Sequence, residues 1–358
     1  MTGPSDGANR AEFNALRVLS ARIGADPLLT QAAGGNTSIK DGDTLWIKAS
    51  GTWLEQALSS DIMVPVALGP LRDAVHDGDP RAEKPIDFVP TENNPSGLRP
   101  SIETTLHAVM PQKVVVHVHC VQTIANAVRT DAETVLRERL QGMRWAFVPY
   151  VRPGLPLANA IAERLQPSTD VLVLGNHGLV VAAETVADSE RLMAKVCGLL
   201  AQVPRVAPPP DLAGLARLAG QSGYRLPAMP ETHAVATDHV SLRIAAGGSL
   251  YPDHVIFLGA GSIVAKPDED AAGIEAACKA RGQVAPTMLL FPGKGVLMRR
   301  DASDSAEALA RCLAHVALRI PPDAPLRYLT QSENAELLGW DAEKYRQSLD
   351  ARRSGEPR

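Results

Sequence analysis

The stretch Val114-Val115-Val116-His117-Val118-His119 sets the reading of the fold. Its branched side chains suit a strand, and strand side chains alternate between faces. His117 and His119 therefore point one way, and Val116 and Val118 the other. Two imidazoles on one face of a stiff apolar strand are half of a metal site. The turn Gly175-Asn176-His177-Gly178 offers a third imidazole, and its glycines let backbone come close. Taken alone, the His-x-His pair fits two satisfied core or surface histidines equally well.

Upstream, residues 10–23 read as a helix, because Phe13, Leu16, Leu19 and Ile23 recur at helical spacing and Gly24 can cap it. Gly34-Gly35-Asn36-Thr37-Ser38 follows. The Asp41-Gly42 step between two apolar runs then signals a hairpin that ends at Lys48-Ala49-Ser50-Gly51. Amides and hydroxyls in two such small, polar segments can line an anion pocket, and they also suit ordinary turns. Residues 62–66 read as a strand and residues 69–100, rich in Pro, Asp and Asn, as surface loop. Ser101 reads as the N-cap of a helix with Glu103 in its first turn. Glu103 and His107 share a face at i, i+4, and Met110-Pro111 ends the helix.

Downstream, helices are expected over 121–129, 132–140, 157–165 and from Thr185 to about 201, with strands over 145–148, 171–174 and 179–182. The proline-rich residues 203–210 cannot be helical and mark a linker between domains at 10–202 and 211–358. In the second part, strands are expected at 255–258, 287–291 and 295–298, and helices at 271–280 and 305–320. The run Leu172-Val173-Leu174-Gly175-Asn176-His177-Gly178 is echoed by Leu289-Leu290-Phe291-Pro292-Gly293-Lys294-Gly295. The echo suits a degenerate second copy that lost its ligand, or two similar hairpins arising by chance.

The chain of 358 residues is 45% apolar and 21% charged, ordinary for a soluble globular protein. A net charge of −4 without a basic tract argues against a nucleic-acid partner, and no apolar run is long enough to span a bilayer. Residues 1–9 read as a disordered tail without the apolar core of a signal peptide. Cys120, Cys197, Cys278 and Cys312 are widely spaced and read as reduced thiols of a cytoplasmic protein. Leu258-Gly-Ala-Gly-Ser lacks the third glycine of a dinucleotide loop, and Pro292-Gly-Lys-Gly lacks the flanks of a phosphate loop. His233, His239 and His254 read as scattered histidines.

In this order, Gly34-Gly35-Asn36-Thr37-Ser38, Lys48-Ala49-Ser50-Gly51, Arg99-Pro100-Ser101-Ile102-Glu103-Thr104-Thr105-Leu106-His107, His117-Val118-His119 and Asn176-His177-Gly178 resemble the class II aldolase/adducin family. The variants look most like its rhamnulose-phosphate-aldolase-type members. Those are often fused to a short-chain dehydrogenase, so a dehydrogenase label inherited by similarity would mislead for this stretch. The resemblance implies a three-layer α/β/α sandwich with a mainly antiparallel central sheet, followed here by a smaller α/β region. It implies a homo-oligomer with sites between subunits and a divalent ion, usually Zn²⁺, held by His117, His119 and His177. It makes Glu103 the acid/base, and it puts Asn36, Ser50, Gly51 and Ser101 on a substrate phosphate.

Two departures stand out. Ile102 replaces a second serine of the short sugar-phosphate aldolases, and residues 135–147 hold no tyrosine for the leaving group; Tyr150 is in another register. The expectation is a zinc-dependent lyase that cleaves a ketose or ketose 1-phosphate through an enediolate. Epimerisation, dehydration or decarboxylation at the same site, or a non-catalytic scaffold like the adducin heads, are the alternatives. The expected partner is a small sugar or sugar phosphate, with neither nucleic acid nor membrane.

Overall fold

The computed structural model describes residues 3, 7–90, 92, 94, 97–341, 344, 345, 347, 349 and 350. The chain forms two compact units, residues 1–127 with 132–201, and residues 128–131 with 202–358.

In the first unit, α1 (Gly7–Gly24) leads to β1 (Asn36–Asp41), β2 (Thr44–Lys48), β3 (Met63–Ala67) and α2 (Leu68–His76). Then come α3 (Thr104–Val109), β4 (Val114–Val118), α4 (Val121–Ala127) and α5 (Ala132–Arg139). The unit closes with β5 (Trp145–Val148), α6 (Leu155–Ala162), β6 (Val171–Leu174), β7 (Gly178–Ala183) and α7 (Val186–Leu199). The strands form a seven-stranded sheet in the order β3-β2-β1-β4-β7-β6-β5. Each pairing is antiparallel except β5 with β6.

The central strand explains the layering. Val114, Val116 and Val118 pack with Phe13, Leu16 and Leu19 of α1 and with Met193 and Val196 of α7. Val115 packs on the other face with Leu106 of α3 and Leu157 and Ile161 of α6. Each such side chain contributes about 1.5–3 kcal/mol by leaving water. The sheet is therefore covered by helices on both faces, the three-layer, mainly antiparallel α/β arrangement expected from the sequence. His117 has the parity of Val115, so it faces the layer that carries α3.

The second unit contains α8 (Leu212–Ala219), β8 (Tyr224–Arg225), α9 (Ala234–Thr237), α10 (His239–Ala246), α11 (Pro252–Leu258), β9 (Ile263–Val264) and α12 (Ala271–Ala280). It continues with β10 (Met288–Phe291), β11 (Gly295–Arg299), α13 (Asp304–Ala317) and α14 (Gln331–Gly339). Its four strands run β8-β11-β10-β9, with only β9 and β10 parallel. This repeats the order and the senses of β4-β7-β6-β5. Residues 201–211 carry no regular element. Arg205 within them donates to Asp238, Ser241 and the carbonyl oxygen of Ala317, which ties the segment to the second unit.

The structure corrects several sequence expectations. Residues 255–258 are helical, part of α11, because a four-residue apolar run has no periodicity of its own and Pro252 is preset for a first helical turn. Gly259–Ser262 thus follows a helix and not a strand, which removes the dinucleotide-loop context. Within 69–100 lies most of α2, which buries Leu68, Leu71 and Ala74 against Leu45, Ile47 and Val66. Pro70 is tolerated there because the first turn has no partner for its missing N–H. Pro80–Glu83 and Pro85–Phe88 add two single turns, and residues 91, 93, 95 and 96 lie outside the described residues. Ser101 is not the cap of α3, since Glu103 occupies that position. Of the expected tail, residues 1, 2 and 4–6 lie outside the described residues, and Gly7–Asn9 already belong to α1. Among the described residues, no helix is long and apolar enough to cross a membrane.

Candidate active site

Two segments of the first unit deliver three imidazoles to one place. β4 carries His117 to its end and His119 just beyond, and β1 pairs alongside with Asn36 opposite His117. The third imidazole comes from the three-residue turn between β6 and β7, where Leu174 faces Gly178 across the hairpin. Asn176 takes a left-handed φ of 53° there, a conformation that asparagine tolerates better than most residues. Glycine is required at 178, because a Cβ would sit 2.5 Å from the carbonyl oxygen of Val118. That absence of a side chain is what lets the His177 turn close on β4. Gly35 does the same from β1, at a φ of +67° against the His117 carbonyl.

The ligand atoms of His117, His119 and His177 all lie within 4.8 Å of one another, and none of the three residues is more than 6% exposed. The Nε2 atoms of His117 and His119 are 3.2 Å apart. His117 Nδ1 lies 3.0 Å from the Leu179 carbonyl oxygen, which can only accept. The proton therefore sits on Nδ1 and the lone pair of Nε2 faces the other imidazoles. Glu103 projects from the start of α3 with Oε2 3.4 Å from His117 Nε2 and Oε1 3.4 Å from His177 Nε2. Burial pushes its carboxyl up. The facing imidazoles of His117, His177 and His119 and the Asn36 amide outweigh this and hold it at about 2.

Around this cluster runs a line of hydrogen bonds. Asn36 Nδ2 donates to Glu103 Oε2 at 2.8 Å and to Ser101 Oγ at 3.1 Å. Asn36 Oδ1 meets His107 Nε2, and His107 Nδ1 meets Ser38 Oγ at 2.7 Å. Burial first, and repulsion from His117 when that ring is protonated second, push the His107 ring well below the usual imidazole range. His107 is therefore neutral, with both nitrogens engaged.

The segments expected to line an anion pocket are joined by backbone pairing. Ser50 N donates to the Arg99 carbonyl and Ser101 N to the Lys48 carbonyl, which sets the 99–101 segment beside 48–50. Gly51 has a φ of +75°. Ser50 Oγ is buried with no hydrogen-bond partner among the described residues. Ser101 Oγ accepts from Asn36 and from the Glu103 N–H, so its own proton is left to donate. Asn36, Ser101, Glu103 and the three histidines are thus brought together directly.

Lys48 has a role that local sequence pattern does not announce. Its buried ammonium donates to the carbonyls of Ala33 and Thr52 and so clamps the two small polar segments to each other. The available signal was a lysine at the end of the apolar run Leu45-Trp46-Ile47. Cys120, one residue past His119, has its thiol 3.3 Å from that of Cys197, a proximity their spacing in sequence did not suggest. His233, His239 and His254 do not join any cluster of three ligating side chains among the described residues.

The donor set suits a divalent cation. Three buried imidazoles face one another around a polar centre, and Glu103 Oε1 beside them is buried with no hydrogen-bond partner among the described residues. A cation gives such lone pairs the partner that burial otherwise denies them.

Residues 18–200 match the family described as Class II Aldolase and Adducin N-terminal domain. An uncharacterized oxidoreductase of Bacillus subtilis is 32% identical over 178 residues, covering 46% of this chain and 25% of that protein. The chain therefore spans only a quarter of that relative's length. An L-fuculose phosphate aldolase of Methanocaldococcus jannaschii is 26% identical over 165 residues, covering 44% of this chain and 76% of that one. Among solved structures, the N-terminal class II aldolase domain of a conserved protein from Thermoplasma acidophilum is 25% identical. It covers 56% of this chain and 94% of its own, with a TM-score of 0.47.

Proposed function

The chain belongs to the class II aldolase and adducin family, and from that premise we propose that it is a metal-dependent lyase. It cleaves a carbon–carbon bond of a ketose or ketose 1-phosphate and releases an aldehyde. The observation that carries the reading is the convergence of His117, His119 and His177 with Glu103 at 3.4 Å from two of them.

His117, His119 and His177 would hold the cation, with zinc as the expected ion because three neutral imidazoles keep its charge intact and leave a position open. When bound, such an ion would supply Lewis acidity to the oxygens of a ketose as the bond between the α and β carbons of its carbonyl breaks. The protein's own groups do the rest. Glu103, ionised and aimed at the same centre, takes up the proton released by the breaking substrate and returns one to the carbon left behind. His117 keeps its Nε2 lone pair available through the bond of Nδ1 to the Leu179 carbonyl. Ser50, Gly51 and Ser101, with Asn36 in the same wall, are proposed to receive the hydroxyls or the phosphate of the substrate. Buried walls keep bulk water from the carbanion carbon.

The polar cluster also argues against an inert scaffold, since desolvating three imidazoles and a carboxylate is costly without a compensating role. We further propose a cytoplasmic homo-oligomer as the working form. The decisive assay incubates the zinc-loaded protein with a panel of ketoses and ketose 1-phosphates and measures aldehyde release. Release from at least one member, abolished by chelation, is expected. Isomerised or decarboxylated product without aldehyde would replace the lyase reading with epimerase or decarboxylase chemistry.

A further inference from the structure

We infer that Cys120 and Cys197 form a redox-responsive pair that closes into one disulfide within the chain, and that closure loosens the neighbouring imidazole site for its cation. The coupling to the cation rests on the metal reading above, and the cross-link does not.

The two cysteines are 77 residues apart in sequence, and their sulfurs are 3.3 Å apart. Cys120 follows β4 and is 1% exposed. Cys197 lies near the end of α7 and is only partly buried. Packing brings them together. Val116 and Val118 of β4 share a core with Met193 and Val196 of α7, Cys120 belongs to that core, and Cys197 packs against it. A thiol is a weak donor and a weak acceptor, so the contact holds little as a hydrogen bond. A disulfide needs its sulfurs about 2.05 Å apart, so closure asks for an approach of about 1.2 Å. Cys278 and Cys312 are buried in the second unit.

The oxidant is a small disulfide such as oxidised glutathione. The Cys197 sulfur, the more exposed of the two, attacks one glutathione sulfur. The glutathione disulfide bond breaks, and the first glutathione leaves with the proton that Cys197 gives up. The Cys120 sulfur then attacks the Cys197 sulfur of the mixed disulfide and expels the second glutathione with its own proton. Two protein thiols are thereby oxidised to one disulfide, and one glutathione disulfide is reduced to two thiols.

The effect on the site follows from position. One peptide bond joins Cys120 to His119, whose Nε2 is 3.2 Å from that of His117. The chain beyond Cys120 is also held, because Val121 N donates to the Leu28 carbonyl and Ile124 N to the Cys120 carbonyl. Drawing Cys120 toward α7 therefore pulls on His119. A zinc centre accepts only about 0.2 Å of error in its ligand distances. The coupling is mutual: whatever factor oxidation removes from zinc affinity, bound zinc adds to the resistance of the pair to oxidation.

The full chain, with and without zinc, is equilibrated in glutathione redox buffers, and its thiols are counted and its peptides mapped without reduction. Two of the four thiols should disappear, with one Cys120–Cys197 linked peptide inside a single chain. Zinc affinity, read by competition with a chelator, should be about 10–100-fold lower in the oxidised protein, the scale on which disturbing a ligand's surroundings acts. Dithiothreitol should restore it. Zinc-loaded protein should need a correspondingly higher ratio of oxidised to reduced glutathione for half-oxidation. Cys197→Ser should keep its zinc affinity in the same oxidising buffer. Links to Cys278 or Cys312, links between chains, or glutathione adducts alone overturn the pair. A mapped Cys120–Cys197 bond with unchanged zinc affinity overturns the coupling. Reduced protein that takes up no zinc would sink the metal reading and the coupling together, and the peptide map would still decide the cross-link.

Discussion

The hairpin of β6 and β7 and the hairpin of β10 and β11 share a design and differ at their tips. Leu174 faces Gly178 and Phe291 faces Gly295, so both turns have three residues. Each hairpin is followed by a 14-residue helix with a hydroxyl cap, Thr185 for α7 and Ser303 for α13. Each has a parallel neighbour on one side and an antiparallel neighbour on the other. In the first unit the tip carries Asn176-His177 and meets β4, which carries His117 and is followed by His119. In the second it carries Gly293-Lys294 beside a two-residue β8. The second tip is also filled by its own surroundings: Gly293 N donates to the Ala236 carbonyl, and the Lys294 carbonyl accepts from Asp211 N. His233 Nδ1 accepts from Val296 N just past the turn. The same scaffold is thus compatible with a polar centre or a closed core. What makes the site is the arrival of ligating side chains from separate segments at one tip.

The comparison breaks most visibly at Glu103, which faces the imidazoles of the first tip. Glu103→Gln should lower turnover by about 10²–10⁴-fold, the usual reach of a positioned acid/base, while metal analysis still finds one zinc per chain. Retained turnover would remove Glu103 from the chemistry. His177→Lys writes the residue of the second tip into the first. Zinc affinity by calorimetric titration should fall by more than about 100-fold, because losing even an outer-shell partner costs 10–100-fold. The reverse change, Lys294→His, should leave the stoichiometry at one.

Gly178→Ala tests the close approach of the hairpin to β4. Its Cβ would press on the Val118 carbonyl, and denaturant unfolding should show a loss of about 1–3 kcal/mol. Acid sensitivity gives the smallest contrast. In the metal-free protein Glu103 titrates at about 2, below its value of about 4.3 in an unfolded chain. Its ionisation therefore stabilises the fold above that range, and the contribution is lost as pH falls toward 2. Between about pH 5 and 2, wild type should lose stability relative to Glu103→Gln in denaturant titrations.

Much of this was legible in the residues, and the limits have physical causes. Strands β4, β6 and β7 and helices α1 and α7 carry strong periodicity or continuous apolar runs, and they form where expected. Strand parity puts His117 and His119 on one face and the glycine-flanked turn offers His177, while their union as ligands and the role of Glu103 rest on the family resemblance. The helix α2 was hidden by Pro70 and by the acidic stretch after it, and α11 by a four-residue run with no period. The clamp at Lys48 and the pairing of Cys120 with Cys197 depend on contacts between residues far apart in sequence, which local pattern does not encode. His107 was seen to share a face with Glu103, but its partners Asn36 and Ser38 come from a strand more than sixty residues away.

Zinc-edge X-ray absorption on the zinc-loaded protein tests the central claim most directly. Three imidazole nitrogens at about 2.0–2.1 Å are expected in the first shell, with one imidazole lost in His177→Ala. A shell containing sulfur, from Cys120 or Cys197, or one with fewer than three imidazoles, would contradict it.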